Sequence, residues 1–575
     1  MCQVVINGKK VIAKSEETIL SLAKRENIDI PTLCFLKDCN NLGNCGVCLV
    51  EVNSEKDLVR ACSYKVREGD IINTANERVQ KAVKARVSEI LNDHNYKCGK
   101  CSRLENCELL ALVKKVNGKK SENFIKDSDN EIYIDNRSKS IVIDRSKCIK
   151  CGRCVAACRE NSGTEIMGFR LEDGKTSMGP ENLACFDETK CLLCGQCVVA
   201  CPVGALSEKS HMDRVLDALK EKDKHVVIGI APSVRTAIGE AFGMDYGTDV
   251  TGKLYAALRK LGFTKVFDVN FAADVTILEE GTELIGRIQN GGPFPMFTSC
   301  CPGWIRLVEN YYPNLLDNLS SAKSPQQIFG AASKTYYPYT EGIDPKDVFT
   351  VSVMPCTAKK FEADRDEMWN DDIKNVDAVL TTRELAKLIK ENNIDFLNLE
   401  DEDADPAMGE YTGAGTLFGA TGGVMEAALR TATDILEGVS LEDIDYKDVR
   451  GLEGIKETTI KIAGNDYKIA VVHGGKNLFN FIESGMMEKG NYHFIEVMAC
   501  PGGCVNGGGQ PFVSSKNREL FNIKELRASV LYNQDKNLPK RKSHKNNSVL
   551  KMYDSYIGEP TKGRAHELFH LKYKK

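Results

Sequence analysis

Two cysteine runs with the same spacing constrain the fold of this chain more than any other feature of its sequence. Gaps of two, two and three residues separate the members of each run: Cys148, Cys151, Cys154 and Cys158, then Cys191, Cys194, Cys197 and Cys201. This repeat is typical of a segment that holds two [4Fe–4S] clusters, in which the last cysteine of each run ligates the cluster of the other run. The cluster ligands are therefore predicted to be Cys148, Cys151, Cys154 and Cys201 for one, and Cys158, Cys191, Cys194 and Cys197 for the other. A pair of zinc sites is the alternative.

The N-terminal residues predict a hairpin followed by a helix. Short β runs flank Asn7-Gly8, a dipeptide typical of two-residue hairpin turns. We expect Ser15 to cap the helix that follows, because its hydroxyl can accept from a free backbone N–H. Lys24 and Arg25 suit the last helical turn, where the helix dipole is negative.

A loop rich in glycine and asparagine follows this helix and carries several cysteines. A hairpin and helix before such a loop favour a plant-type [2Fe–2S] site over a zinc site. The predicted ligands are Cys34, Cys45, Cys48 and Cys62. Cys39 is omitted because it lies one residue too far from Cys45 for the usual gap.

One histidine and three cysteines follow in the next segment. They are His94, Cys98, Cys101 and Cys107. Taken alone, this set fits a structural zinc ion at least as well as an iron–sulfur cluster. The neighbouring cysteine clusters favour a [4Fe–4S] cluster here.

Composition excludes several classes of protein. The chain has 575 residues, 42% hydrophobic and 27% charged, and a net charge of -4, which describes a globular protein without the basic excess of a nucleic-acid binder. No apolar run reaches membrane-spanning length, and the N-terminus lacks the order of a signal peptide. We therefore expect a cytoplasmic protein. Thiols stay reduced there, so 23 cysteines indicate metal ligation rather than disulfides.

From about residue 211 the pattern changes to β runs that alternate with helical segments. The predicted strands span residues 225–230, 266–269, 348–353, 469–472 and 494–497. This alternation predicts an α/β domain. The full division is 1–80, 81–125, 126–210 and 211–575: a β-grasp [2Fe–2S] domain, a His/Cys3 cluster domain, a two-cluster [4Fe–4S] domain and a large α/β domain. The fold class is thus a mixture of α/β and α+β domains.

Several of these strands run directly into cysteines. Cys356 and Cys500 follow two of the predicted strands, and Cys504 lies in the Gly-rich loop after Cys500. Cys300 and Cys301 form a further pair. Open α/β sheets bind ligands beyond the carboxyl ends of their strands, so we expect one site fed by several strands.

A helical segment between these cysteines carries Glu280, Glu283 and Arg287 on one face. Two interpretations are open. The face is either a solvated charged stripe, or a buried one whose carboxyl groups carry protons, because desolvation raises the pKa of a glutamate. After Pro511 the chain is polar and basic, and we expect a solvated tail that wraps the domain.

Three motifs contain the cysteines of the large α/β domain: Thr298-Ser-Cys300-Cys301-Pro-Gly-Trp304, Met354-Pro-Cys356-Thr-Ala-Lys359-Lys-Phe-Glu362, and the stretch from Glu496 to Pro511. With these motifs, the sequence resembles the [FeFe]-hydrogenases of the monomeric clostridial type essentially from end to end. The family's active site is the H-cluster, a [4Fe–4S] cubane joined through a shared thiolate to a two-iron unit. Carbon monoxide, cyanide and an amine-containing dithiolate complete the two-iron unit.

The resemblance implies roles for individual residues. The cubane ligands would be Cys301, Cys356, Cys500 and Cys504, with Cys504 shared. Cys300 would give protons to the cluster, along a route through Glu280, Ser320 and Glu283 to Arg287. Lys359 would face a cyanide ligand. The other residues that would line the pocket are Ala231, Pro232, Ser233, Gln326, Met354, Phe418 and Met498.

The resemblance also implies an activity and its partners. The activity is reversible proton reduction, 2H⁺ + 2e⁻ ⇌ H₂, and electrons would pass through one [2Fe–2S] and three accessory [4Fe–4S] clusters. A ferredoxin would exchange the electrons, maturation factors would supply the two-iron unit, and the enzyme would be monomeric. Three alternatives remain: a hydrogen sensor, an iron–sulfur assembly or electron-transfer protein of the same superfamily, and an enzyme related to complex I or NAD-linked formate dehydrogenase, whose electron-entry arm the first 210 residues resemble.

Overall fold

The first part of the chain forms a five-stranded sheet with one helix. This computed structural model describes residues 1–40, 42–96, 98–117, 133–172, 175–440, 442 and 444–574. The elements of the first part are β1 (Cys2–Ile6), β2 (Lys9–Ala13), α1 (Ile19–Arg25), β3 (Leu49–Val52), β4 (Val59–Arg60) and β5 (Ile71–Asn73). The strand order is β2-β1-β5-β3-β4. The predicted hairpin is confirmed, since β1 and β2 pair antiparallel around Asn7 and Gly8, which both have positive φ.

The predicted cap of α1 is wrong. The helix begins at Ile19 rather than near Ser15, and its N-cap is Thr18, whose side chain accepts from the backbone N–H of Ser21. Thr18 also forms an isolated bridge with Lys65, which fixes the chain entry one turn later than the local sequence suggests. Lys24 and Arg25 lie in the last turn, as predicted.

The next part contains two helices and the paired cysteine runs. The elements are α2 (Glu77–Asn92), α3 (Glu108–Asn117), β6 (Ile134–Asp135), β7 (Ile141–Asp144), α4 (Arg153–Ala157), β8 (Gly168–Glu172), β9 (Lys175–Gly179), α5 (Gln196–Ala200) and β10 (Leu206–Glu208). Strands β10, β7 and β6 form one small sheet, and β8 and β9 form a hairpin. The helices α4 and α5 each begin within a cysteine run, which matches the internal repeat of the sequence. The predicted domain boundary at 125/126 lies outside the described residues.

The large C-terminal part is built on two four-stranded sheets. Its strands are β11 (His225–Ile230), β12 (Lys265–Asp268), β13 (Met296–Phe297), β14 (Val348–Met354), β15 (Trp369–Asn370), β16 (Ile373–Lys374), β17 (Ala378–Thr381), β18 (Ile455–Ile462), β19 (Asn465–His473) and β20 (Phe494–Met498). One sheet has the order β12-β11-β14-β17 and is entirely parallel. The other has the order β13-β20-β19-β18, in which only the pairing of β18 with β19 is antiparallel. The predicted α/β pattern is confirmed.

Helices cover both sheets. They are α6 (Met212–Lys220), α7 (Thr251–Leu261), α8 (Val269–Asn290), α9 (Pro302–Tyr311), α10 (Pro325–Lys334), α11 (Tyr336–Glu341), α12 (Ala358–Ala363), α13 (Thr382–Glu391), α14 (Gly413–Leu417), α15 (Gly423–Glu437), α16 (Gly475–Glu483), α17 (Met486–Gly490), α18 (Ser515–Leu520), α19 (Ile523–Asn537), α20 (Asn547–Met552) and α21 (Gly563–Phe569). Among the described residues, no helix combines the length and apolar character that crossing a membrane requires.

The C-terminal segment is packed rather than solvated, which corrects the expectation drawn from its polar composition. Val549, Met552 and Phe569 are buried in the main core. Arg541 binds Asp535, a carboxylate that is also held by the buried Arg430. The basic residues that suggested a solvated tail are therefore partly neutralised by buried acids, which local composition does not reveal.

Candidate active site

Five cysteines meet at one cavity between the two large sheets. Cys356 follows β14 and Cys500 follows β20, so the carboxyl ends of two parallel strands open onto the cavity. Cys301 caps helix α9, and Cys300 precedes it in the same loop. Cys504 lies in the Gly-rich loop after Cys500. The strand-end arrangement expected from the α/β pattern is present.

The remaining wall of the cavity is mostly apolar. All seven residues that the resemblance placed around the cofactor line it: Ala231, Pro232, Ser233, Gln326, Met354, Phe418 and Met498. Gly503 and Gly507 allow the cysteine loop to pass close to its neighbours. A Cβ on Gly507 would lie 2.1 Å from the carbonyl oxygen of Pro355, and one on Gly503 would lie 2.6 Å from the nitrogen of Thr421. Glycine is therefore required where this loop closes the site.

Buried thiols of this kind suit an iron–sulfur cubane. Burial raises the pKa of Cys356 to about 11, with a further contribution from the charge of Cys301. The pKa values of Cys500 and Cys504 are also raised, first by burial and then by the charges of neighbouring thiols. Several thiolates cannot share a dry cavity unless a metal compensates their charge. The donor set of Cys301, Cys356, Cys500 and Cys504 therefore fits the cubane of the H-cluster.

Among the described residues, Lys359 is the lysine that lines this cavity. Lys359 Nζ lies 2.8 Å from Oε2 of Glu362 and donates to the carbonyl oxygen of Cys300 at 3.0 Å. Burial opposes the charge of Lys359, but its ion pair with Glu362 raises the pKa overall. Ser324 and Gln326 each donate to Glu362 at 2.9 Å, so the carboxylate is fixed from both sides. Sequence reasoning gave Glu362 no role, although it lies three residues after Lys359 on one helical turn.

The solvated-stripe interpretation of α8 is wrong at Glu280. This residue is 1% exposed, and burial, followed by the charge of Glu283, raises its pKa to about 8. Burial also raises the pKa of Cys300, and the charge of Glu280 adds to that shift. Cys300 and Glu280 are thus electrostatic neighbours between the cavity and the helix.

Glu283 is the most heavily hydrogen-bonded carboxylate of this helix face. Its Oε2 accepts from the hydroxyl of Ser320 at 3.0 Å and from both the hydroxyl and the backbone N–H of Ser321, at 3.0 and 2.9 Å. Its Oε1 lies 2.6 Å from Nη2 of Arg287. Arg287 also donates to the carbonyl oxygen of Leu319 at 2.8 Å. Hydrogen bonds therefore join Ser320, Glu283 and Arg287, and the charge of Glu283 acts on Glu280 on the same helix face.

Two further residues that sequence reasoning left without a role hold the cysteine loop in place. Glu496 is buried in β20 and accepts from the backbone N–H groups of Gly422 and Met425, at 2.6 and 2.7 Å, where α15 begins. His473 accepts from Gly502 N–H at 3.0 Å through Nδ1. Only Glu496 had a sequence signal, because it opens the motif that ends at Pro511.

The predicted accessory ligands gather in separate groups. The four thiols of Cys148, Cys151, Cys154 and Cys201 line one small cavity with apolar side chains. The charges of Cys158, Cys191, Cys194 and Cys197 act on one another, since burial and the charge of Cys158 raise the pKa of Cys191 to about 12, and Cys191, Cys194 and Cys158 contribute to the raised pKa of Cys197. The second group adjoins the five-cysteine cavity, because a Cβ on Gly508 would lie 2.1 Å from the carbonyl oxygen of Cys194.

The four predicted ligands of the N-terminal [2Fe–2S] site also lie together. Sγ atoms of Cys48 and Cys62 lie 3.4 Å apart, and Cys34 hydrogen bonds with Cys45 and Cys62. Cys39 lies apart from them, in a small apolar cluster with Leu36, Ala157 and Ala200.

His94 is oriented by its backbone contact. Its Nδ1 lies 2.9 Å from the carbonyl oxygen of Lys147, which leaves Nε2 as the ring atom that can ligate a metal. Cys98 and Cys107 both neighbour Cys101 electrostatically. The three thiols therefore lie together, and Cys98 and His94 both lie beside Lys147.

Five family models match consecutive parts of the chain. They are a 2Fe-2S iron-sulfur cluster binding domain at residues 1–77, the iron-sulfur centre-binding domain of iron hydrogenase 1-like proteins at 78–118, a 4Fe-4S dicluster domain at 147–205, the C-terminal domain of the iron only hydrogenase large subunit at 224–508, and the iron hydrogenase small subunit at 521–575. The second match favours iron over zinc at the site with His94.

Known proteins are similar over the whole chain or over its catalytic part. Iron hydrogenase 1 of Clostridium pasteurianum is 60% identical, and the alignment covers 100% of both chains. Subunit HndD of the NADP-reducing hydrogenase of Solidesulfovibrio fructosivorans is 41% identical over 100% of this chain and 99% of its own. The structure of an apo [FeFe]-hydrogenase from Chlamydomonas reinhardtii is 40% identical, with a TM-score of 0.57, and covers 63% of this chain and 98% of its own. The chain therefore belongs to the [FeFe]-hydrogenases, enzymes that hold an H-cluster and accessory iron–sulfur clusters.

Proposed function

We propose that the chain interconverts protons and hydrogen, 2H⁺ + 2e⁻ ⇌ H₂, at the five-cysteine cavity, with protons delivered by Cys300, Glu280, Ser320 and Glu283. The observation that carries this proposal is the position of Cys300. Four thiols of the cavity are assigned as cubane ligands, and Cys300 is the remaining one, with a buried carboxyl group behind it. A thiol that binds no metal at such a place can hold a proton for the reaction.

The residues around the cavity have distinct tasks. When bound, the H-cluster supplies the iron site at which protons and electrons combine. Cys301, Cys356, Cys500 and Cys504 would hold it, and Lys359 places a positive charge toward its anionic ligands. The apolar walls exclude water, so each electrostatic contact inside is stronger than it would be in solution.

Protons travel along the chain's own side chains. Cys300 Sγ holds the proton at the cavity, and the carboxyl group of Glu280 replaces it from behind. A pKa of about 8 leaves Glu280 largely protonated at neutral pH and able to lose its proton, which suits a proton carrier. Ser320 Oγ joins this region to Oε2 of Glu283 at 3.0 Å, and Arg287 stands at the outer end.

The proposed domains span residues 1–80, 81–125, 126–210 and 211–575. The first three domains would carry electrons between the cavity and a ferredoxin, through ligands of one [2Fe–2S] and three [4Fe–4S] clusters. Maturation factors would supply the two-iron unit. The chain has 23 cysteines, of which 19 are assigned as metal ligands, and this usage supports a cytoplasmic location, while the resemblance to the clostridial type supports a monomer.

The first test is hydrogen evolution from a reduced dye under strict anaerobiosis. Protein loaded with the two-iron unit and checked for iron should evolve hydrogen rapidly, and the same protein without the two-iron unit should not. Loaded, iron-replete protein that evolves no hydrogen would contradict the catalytic proposal and favour a sensor or an electron carrier.

The adjacent thiols Cys300 and Cys301 provide a matched pair of variants. Cys300→Ala should lower the rate by about 10²-fold or more while the iron content stays unchanged, because a proton carrier is lost and not a ligand. Cys301→Ala should lose iron from the cubane. Loss of iron in Cys300→Ala would instead make Cys300 a ligand.

A further inference from the structure

A buried histidine near the C-terminus lies next to residues of the proposed proton route. His570 Nε2 lies 2.8 Å from Oε2 of Glu279, and its Nδ1 lies 2.8 Å from Oγ of Ser321. The backbone fixes this position, since Ala322 pairs with His570 in an antiparallel bridge and Leu571 N–H donates to the carbonyl oxygen of Ser321 at 2.9 Å. His570 is therefore held two hydrogen bonds away from Glu283.

The hydroxyl of Ser321 links two groups that can each take its proton. It lies 3.0 Å from Oε2 of Glu283 and 2.8 Å from Nδ1 of His570, but a hydroxyl has only one hydrogen to donate. Two different placements of the protons make both contacts hydrogen bonds. In one, imidazolium donates to Ser321, which donates to the Glu283 carboxylate. In the other, protonated Glu283 donates to Ser321, which donates to neutral His570.

We propose that His570 exchanges protons with Glu283 through Ser321 and so forms a second branch of the proton route. The two arrangements differ by one concerted shift. The Nδ1 proton of His570 passes to Ser321 Oγ while the hydroxyl proton of Ser321 passes to Glu283 Oε2, which converts an imidazolium and a carboxylate into a neutral imidazole and a carboxyl group. No other group is consumed. The inference rests on the proposed route through Glu283.

The branch ends at the protein surface. A cavity of about 290 Å³ is lined by Glu283, Arg287 and other residues of α8, together with Ser321, Thr561, His566 and His570. His566 is exposed, and its ring stacks on that of His570 with centroids 5.3 Å apart and an angle of 6°. Solvent in this cavity can therefore return a proton to the buried imidazole. The cavity also contains Arg287, which is the outer end of the main route.

Acidic side chains face both ring nitrogens of His570. Glu279 faces Nε2 and is 0% exposed, and its carboxylate is also held by the hydroxyl of Tyr553 and by Thr561 N–H at 2.6 Å. Glu283 faces Nδ1 through Ser321, and the charge of Arg287 is taken up by the other oxygen of Glu283. His566, on the same segment, is a further titratable neighbour. A buried imidazolium is acceptable here because a carboxylate is hydrogen bonded to it.

The test compares His570→Gln with the parent and with His225→Gln, a variant of a histidine at the start of β11 whose ring contacts the hydroxyl of Tyr337. A glutamine at 570 can still donate to Glu279 and accept from Ser321, but it cannot gain and lose a proton. We expect the rate of hydrogen production at saturating dye to fall about three- to tenfold in His570→Gln, less than in a variant of the main route because Arg287 remains. The pH profile of the rate should change in His570→Gln, and His225→Gln should behave as the parent. An unchanged rate and pH profile in His570→Gln would overturn the inference.

Two further measurements separate proton transfer from a structural role. Free imidazole, which the surface cavity can admit, should restore part of the rate of His570→Gly in proportion to its concentration. Restoration of thermal stability without any gain in rate would indicate structure alone and would overturn the inference. Neutron diffraction of deuterated crystals should show the Ser321 deuteron directed at Glu283 or at His570. A deuteron directed at neither would also overturn it, and this result does not depend on whether the protein evolves hydrogen.

Discussion

Two neighbouring glutamates on α8 are both buried but face very different surroundings. Glu279 lies on the side of the helix that meets the C-terminal segment, where His570, Tyr553 and Thr561 satisfy its carboxylate. Glu280 lies on the side of Cys300, and among the described residues neither of its oxygens has a hydrogen-bond partner within normal distance, while the Ser320 side chain and the Ser299 backbone lower its pKa by less than burial raises it. Burial raises its pKa to about 8.

This difference shows that one helix can carry a carboxylate that stabilises the fold on one side and a carboxyl group that can carry protons on the other. A buried carboxylate that is fully hydrogen bonded holds elements together, and removing its partners is costly. A buried carboxyl group without partners keeps its proton at neutral pH and gives it up at modest cost. The side of the helix on which each residue lies decides which task it performs.

The largest expected effect is on turnover. Glu280→Gln should lower the rate of hydrogen evolution by about 10²–10⁴-fold, because the amide cannot carry a proton. Its thermal stability should stay close to that of the parent, since the amide resembles the neutral carboxyl group in shape and charge. Dye-linked hydrogen evolution, with iron content measured on the same sample, checks this. A rate near that of the parent would return Glu280 to a structural role.

The second prediction concerns stability at the neighbouring position. Glu279→Gln should destabilise the fold by about 1–3 kcal/mol, because it weakens the bonds to His570, Tyr553 and Thr561. The melting temperature should fall by about 1–4 °C and should fall further than in Glu280→Gln. Calorimetry of the two variants side by side is the measurement. Equal melting temperatures would remove the distinction between the two glutamates.

The third prediction concerns the dependence of stability on pH. The pKa of Glu280 is about 8 in the folded chain and 4.5 in an exposed glutamate, so the folded state binds the extra proton between these values. The contribution of Glu280 to the unfolding free energy is fully present below pH 4.5 and is lost as the pH rises through about 8. The unfolding free energy of the parent, measured by denaturant titration from pH 5 to about 9, should therefore fall relative to that of Glu280→Gln. Parallel curves would contradict a raised pKa.

Periodic and repeated features were predictable from local sequence. The Asn7-Gly8 hairpin and the strands that lead to Cys356 and Cys500 appear where they were expected, because turn chemistry and β runs act over a few residues. The cap of α1 was missed because the bridge between Thr18 and Lys65 joins residues that are distant in sequence.

Residues that act through long-range contacts were not predictable. Glu279 is indistinguishable from Glu280 in the sequence, yet its partner His570 lies 291 residues away. Ser321 binds the same carboxylate oxygen of Glu283 as Ser320 does, but no local pattern separates the two hydroxyls. The packed C-terminal segment was hidden for the same reason, since its basic residues pair with acids of other elements.

The sequence by itself determined the chemistry of this protein, because metal ligation requires particular side chains at particular spacings. The repeated cysteine runs, the cysteines at strand ends and the three motifs from Thr298 to Pro511 identify an [FeFe]-hydrogenase without coordinates. Only the tertiary structure decided which carboxyl groups of α8 are buried, which are hydrogen bonded and which meet the C-terminal segment. A proton moves only between groups within hydrogen-bonding distance, and such distances between remote residues arise only when the chain is folded.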